Sequence, residues 1–86
     1  GGIVARPIAS PKPALAPALL GFGTAIKVLR KTRGITHEGL AHRSASDRSY
    51  MSSIERGRQS PGLMTVVQIA AGIGVSVSEL TAKAEL

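Results

Sequence analysis

The 86-residue chain has no cysteine and no tryptophan, and its aromatic residues are Phe22 and Tyr50 alone. The absence of cysteine excludes a disulfide framework and a thiolate metal site, and it fits an intracellular protein. With so few aromatics, a core must be assembled from Leu, Ile, Val, Met and Ala. Acidic residues are also scarce, five against eleven Lys and Arg, so the net charge is +6. No apolar run approaches the roughly 20 residues that cross a bilayer. The N-terminus lacks the charged-then-apolar pattern of a signal peptide. Neither a membrane span nor a membrane partner is expected. The length fits one small domain and not two, and a core of that size is marginal alone, which favours self-association.

The positive charge is unevenly placed. Residues 21–60 hold eight basic residues (Lys27, Arg30, Lys31, Arg33, Arg43, Arg48, Arg56, Arg58) against Glu38, Asp47 and Glu55. Residues 61–86 hold Lys83 against Glu79 and Glu85. A polyanionic partner is therefore expected on the middle of the chain. The same stretch contains THEGLAHRSASDRSYMSSIERG at 36–57, which reads as a short helix, a break of three to four residues, and a second short helix stopped by Gly57. In the second helix Arg48, Ser49, Ser52, Ser53 and Arg56 fall on one side, with Met51 and Ile54 on the other. A helix with one packing face and one small, polar, basic face is suited to the DNA major groove.

The flanking sequence supplies a platform for this pair. Residues 1–17 (GGIVARPIASPKPALAP) carry prolines at 7, 11, 13 and 17 without periodicity and read as a flexible arm or linker, with Arg6 and Lys12 as its charges. The domain is expected over 18–86. Helix 1 is expected from Leu19 to Arg33, with Leu19, Phe22, Ile26 and Leu29 at helical spacing and Gly34 as its left-handed stop. Thr36 is the N-cap expected for helix 2, which ends near Arg43, and Gly39 within it costs roughly 1 kcal/mol relative to Ala. Ser46 or Asp47 caps helix 3, which runs to about Arg56. Ser60-Pro61 predicts the start of helix 4, whose stripe of Leu63, Val66, Val67, Ala70 and Ile73 ends at Gly74. Ser76-Val77-Ser78-Glu79 is a capping box, flanked by the staple residues Val75 and Leu80, and it opens a helix 5 running towards Leu86. The fold class expected is all-α, five short helices and no sheet.

LRKTRGIT at 29–36, GLA at 39–41, SDRSYMSSIERGRQSP at 46–61 and LMTVVQIAAGIGVSVSEL at 63–80 together resemble the phage-repressor and Cro-like helix-turn-helix family, also called the xenobiotic-response-element family. The resemblance implies a compact five-helix lambda-repressor-like bundle in which helices 2 and 3 form the motif and helix 3, about 47–56, reads the major groove of double-stranded DNA. It places Arg48 and Ser49 nearest the bases, with Ser52 and Ser53 one turn on. Arginine can pair bidentately with guanine O6 and N7, a contact worth roughly 1–3 kcal/mol of discrimination, whereas serine discriminates weakly. Phosphate contacts are expected from Thr36 and His37 at the start of helix 2 and from Arg56, Arg58 and Gln59 after helix 3, with Arg43 as an addition. The family usually has glutamine at the position of His37. Histidine titrates near neutrality, so that contact is expected to sense pH unless His37 is an exposed bystander. The resemblance further implies a structural ion pair between Arg30 and Glu55. It also marks a departure at Ala45, where the family has glycine because the backbone takes positive φ, a conformation costing alanine roughly 1–2 kcal/mol.

Other chemistries find little support. His37 and His42 are five apart and do not share a helix face, and no acidic cluster accompanies them, so no metal is expected. No Ser/His/Asp arrangement is suggested, hence no catalytic residue, no cofactor and no enzymatic activity. Tyr50 is expected either to reach a phosphate or to pack at the helix edge. The combined expectation is a cytoplasmic, bacterial or phage-type transcriptional regulator that binds an inverted repeat as a homodimer. Helix 5 and the end of helix 4 (Val77, Leu80, Ala84, Leu86) form its dimer surface. The alternatives are an antitoxin or restriction-modification controller of the same fold, a helical protein-interaction module docking RNA polymerase, or the DNA-targeting domain of a longer protein. A toxin or RNA polymerase partner is left open.

Overall fold

The computed structural model describes residues 17–86. The expected arm, with Arg6 and Lys12, lies outside the described residues except for Pro17, which opens the first helix. Five α-helices follow in order: α1 (Pro17–Thr32), α2 (His37–Arg43), α3 (Arg48–Glu55), α4 (Leu63–Ile73) and α5 (Val77–Lys83). Among the described residues there is no strand, and no single helix is long and apolar enough to cross a membrane.

The starts of these helices are set by side chains that satisfy otherwise orphaned backbone N–H groups. Thr36 accepts from the Gly39 N–H at 2.9 Å, and Asp47 from the Tyr50 N–H at 2.7 Å. Asp47, not Ser46, is therefore the cap of α3. Ser76 and Glu79 close a reciprocal capping box with two bonds of 2.9 Å. The Ser76 backbone N–H, and after it the Ser76 side chain, hold the Glu79 carboxyl below its ordinary pKa. A hydrogen bond to the charged form favours that form.

All five helices end in the same way. A residue in the left-handed conformation follows the last turn at Gly34 (φ 69°), Ala45 (53°), Gly57 (74°), Gly74 (93°) and Glu85 (61°). The next residue's N–H then reaches back to a carbonyl in the last turn: Ile35 to Arg30, Ser46 to Ala41, Arg58 to Ser53, Val75 to Ala70, and Leu86 to Thr81. These closures satisfy helix-end carbonyls. Glu85 explains why α5 stops at Lys83 rather than continuing towards Leu86, since the left-handed residue turns the chain out of the helix.

Helix α4 starts two residues later than the Ser60-Pro61 signal predicts. Its N-cap is Gly62, with extended backbone (φ −73°, ψ 170°) and no side-chain cap bond, and the Val66 N–H bonds the Gly62 carbonyl. Glycine gains least from helical backbone, so the helix begins after it. The buried face also shifts. Ile69, Ala70 and Ile73 are enclosed and Val66 packs on them, whereas Leu63 and Val67 of the expected stripe stand 75% and 40% exposed. The first turn of α4 projects beyond the core.

The core is aliphatic, as the composition requires: Ile26 from α1, Leu40 from α2, Met51 and Ile54 from α3, Ile69 from α4 and Leu80 from α5 are all closed to solvent. Helix α1 packs against α3, α4 and α5, and α2 against α3 and α4. Of the expected dimer surface, Leu80 is sealed inside, Val77 and Ala84 are half-buried against the core, and Leu86 is exposed. Two glycines set the spacing. A Cβ on Gly23 would collide with the Glu55 carbonyl, and one on Gly72 would sit 2.8 Å from the Ser44 hydroxyl. Gly39 has no such role: the atoms a Cβ would meet there belong to Thr36 and Ile35 of its own cap.

Candidate nucleic-acid interface

Helices α2 and α3 are joined by Ser44–Asp47, with the positive φ expected at Ala45 realised by alanine itself. The turn is held from inside, because the Ser44 residue is buried. From this turn α3 rises with Met51, Ile54 and Glu55 inward and with Arg48 and Ser49 of its first turn exposed. Ser52 and Ser53 are half-buried. Tyr50 is half-buried and packs against the core at the helix edge.

The hydroxyls on α3 are already polarised. Ser53 donates to the Ser49 carbonyl at 3.1 Å, so its hydrogen is engaged and its oxygen keeps lone pairs with which to accept. Ser52 accepts from Arg56 Nη1 at 2.8 Å, so its own hydrogen is available to donate. Neighbouring serines on one helix thus present opposite hydrogen-bonding character.

Behind this face Glu55 is buried and receives three donors or near-donors. Arg30 Nε lies 2.7 Å from Oε2 and Nη2 lies 3.2 Å from Oε1, while Arg30 Nη1 donates to the Ile35 carbonyl at 2.8 Å. The Arg30 and Glu55 side chains are 6% and 4% exposed, which makes this a desolvated pair linking α1 to α3. His37 Nε2 sits 2.8 Å from Glu55 Oε1. That ring nitrogen is therefore engaged inside the protein, so His37 is not an idle bystander, and the expected phosphate contact falls to the rest of its 33% exposed side chain or its backbone N–H.

The remaining predicted contacts divide in two. Arg58 and Gln59 are exposed on the loop after α3, and Thr36 is exposed at the head of α2 with its oxygen engaged in the cap. Arg43 and Arg56 are exposed but tethered, Arg43 Nη1 to the Gly72 carbonyl at 3.3 Å and Arg56 to Ser52. Each guanidinium keeps further N–H donors. Among the described residues no group of three His, Asp or Glu side chains converges on a metal-sized site.

The structure adds two residues that were not singled out as contacts. Lys27 and Lys31, one turn apart and exposed on α1, line an open depression of about 410 Å³ with Thr36, His37 and Glu38 of α2 and Arg48 of α3. Their basic character is visible in the sequence. Their proximity to Arg48 depends on how α1 crosses α3.

With this geometry in place, comparison with known proteins is informative. A profile of the helix-turn-helix domain family matches residues 22–82. The chain is 42% identical over 52 residues to an uncharacterised helix-turn-helix type transcriptional regulator of Sinorhizobium fredii, covering 60% of this chain and 68% of that one. It is 38% identical over 64 residues to the immunity repressor protein of Bacillus phage phi105, covering 74% of this chain but 44% of the phage protein. Among solved structures, C.Esp1396I bound to a 25 base pair operator site superposes with a TM-score of 0.73 at 31% identity, covering 79% of this chain and 90% of that one.

Proposed function

The chain belongs to the helix-turn-helix domain family, of the phage-repressor and Cro-like kind, and from that premise we propose that it is a sequence-specific, double-stranded DNA-binding transcriptional regulator. The observation that carries this reading is the division of α3, with Met51, Ile54 and Glu55 buried and Arg48 and Ser49 exposed on its first turn. The structural similarity to a controller protein bound to its operator supports the same use of the fold.

In this reading α3 lies in the major groove. Arg48 pairs with guanine, and Ser49, Ser52 and Ser53 make weaker contacts to base edges. Ser52 matches acceptors such as guanine O6 or thymine O4, and Ser53 matches the amino groups of adenine or cytosine, because of the bonds each already makes. Arg58 and Gln59 hold the phosphate backbone on one side of α3, and the start of α2 at Thr36 and His37 on the other. Arg43 and Arg56 contribute from tethered positions. Arg30 and Glu55 stay inside as a brace that fixes α3 against α1.

The protein acts as a homodimer on an inverted repeat, with half-sites about one helical turn apart. Repression follows where the site overlaps a promoter. The partner is DNA, the setting is the cytoplasm and its nucleoid, and no enzymatic step is involved. A restriction-modification controller role is the second reading, favoured by the likeness to C.Esp1396I. Selection of binding sites from random duplexes tests the proposal directly. A single enriched motif with two inverted halves is expected, and no enrichment over the starting pool would refute sequence-specific binding.

A further inference from the structure

The depression between α1 and α3 contains more positive charge than the fold needs. Arg30 beneath it is neutralised by Glu55, and His37 is anchored to the same carboxylate. Lys27, Lys31 and Arg48 are exposed on its rim, and Glu38 is the one acid there. Among the described residues the ion pairs are those of Glu55, so neither lysine has an acidic partner. Three exposed cations converge on one concavity whose wall includes the residue proposed to read bases.

We infer that Lys27 and Lys31 form a phosphate seat on α1 that extends the DNA footprint beyond the two helices of the motif. This rests on the DNA-binding reading and deepens it. Three observations favour a phosphate ester of the duplex. Residues four apart on a helix have Cβ atoms about 5–6 Å apart on one face, so the two ammonium groups address the same short stretch of backbone. The seat shares Arg48 with the proposed reading face and Thr36 with the head of α2, so it is continuous with the proposed interface. Lysine is a flexible point charge that suits a phosphate without demanding one geometry. Phosphate contacts fix register and carry no base information directly, so this seat orients α3 in the groove.

The test compares the full chain with Lys27→Ala/Lys31→Ala on a selected duplex over a range of salt concentrations. Each lost phosphate contact lowers the slope of log affinity against log salt by about 0.9. The double variant should therefore lose about 1.8 in slope, select the same motif and melt like the parent. Lys27→Arg/Lys31→Arg should restore the slope, and Lys83→Ala, on α5, should not change it. An unchanged slope in the double alanine variant, while Arg58→Ala still lowers it, overturns the seat and leaves the DNA-binding reading standing. A wild-type chain with no salt-sensitive binding to any duplex overturns both. Inorganic phosphate is the second probe. Saturable binding of free phosphate that perturbs Lys27 and Lys31 in the absence of DNA would assign the depression to a small phosphorylated ligand and overturn the duplex assignment.

Discussion

His37 and Glu55, 18 residues apart, are joined by a 2.8 Å contact between Nε2 and Oε1. Glu55 also holds Arg30, so one buried carboxylate ties together the end of α1, the head of α2 and the end of α3. Removing that carboxylate leaves the Arg30 guanidinium buried without its counter-charge. Glu55→Ala should therefore cost about 3–5 kcal/mol of stability. His37→Ala, at a side chain 33% exposed, should cost about 1 kcal/mol. Urea unfolding at constant pH measures both. Equal effects from the two substitutions would show that Arg30 is not the principal partner.

Ser44 is 1% exposed and its hydroxyl has no hydrogen-bond partner. An unsatisfied buried polar group costs about 1–3 kcal/mol. Ser44→Ala removes the group without adding volume beside Gly72. The expected result is a gain of about 1 kcal/mol, read as a higher denaturation midpoint with an unchanged m-value. A loss of stability would mean that the hydroxyl is satisfied in solution, by water for example.

Ala45 sits at φ 53°, the conformation that glycine tolerates best. Relief of roughly 1–2 kcal/mol of strain is partly offset by the greater freedom of glycine in the unfolded chain. Ala45→Gly should stabilise by about 0.5–1 kcal/mol. The DNA motif should not change, because the residue closes α2 without entering α3.

Arg48 and Arg58 should fail differently. Loss of a bidentate guanine contact relaxes preference at one position by about 1–3 kcal/mol, whereas loss of a phosphate contact weakens all sequences alike. Selection experiments on Arg48→Ala and Arg58→Ala distinguish the two. An unchanged motif from Arg48→Ala would remove it from base readout.

The capping box of α5 predicts an acid limb to stability. Glu79 has its pKa lowered in the folded protein, chiefly by the Ser76 backbone N–H. Its stabilising contribution is present above the ordinary glutamate value and is lost as pH falls through the lowered one. Glu79→Gln keeps an acceptor for the Ser76 N–H but cannot titrate. Melting temperatures from about pH 6 down to about pH 3, across the carboxylate range, should fall less steeply in the variant than in the parent.

Much of the fold was legible in the sequence because it is written in short-range chemistry. Thr36 and the Ser76–Glu79 box are recognisable from three or four residues, and Gly34, Gly57 and Gly74 mark helix ends by their backbone freedom alone. The resemblance pointed to the Arg30–Glu55 pair and to the positive φ at Ala45, and both are present. Less legible were features for which local signals compete. Ser60-Pro61 is a sound start signal, but Gly62 defers α4, and the end of α5 depends on Glu85 taking a conformation its side chain disfavours.

The sequence by itself determined that this is an all-α chain of short helices with its positive charge gathered around the second and third. Caps, stops and helical periodicity act between residues within about one turn of each other, and those residues are adjacent in the chain. The tertiary structure alone decided what each polar group on those helices faces. It placed His37 on Glu55, Arg43 on the end of α4, Leu80 beyond the reach of a partner, and Lys27 and Lys31 beside Arg48. Those partners come from helices distant in the chain, and their meeting follows from how the apolar faces pack. No local pattern records it.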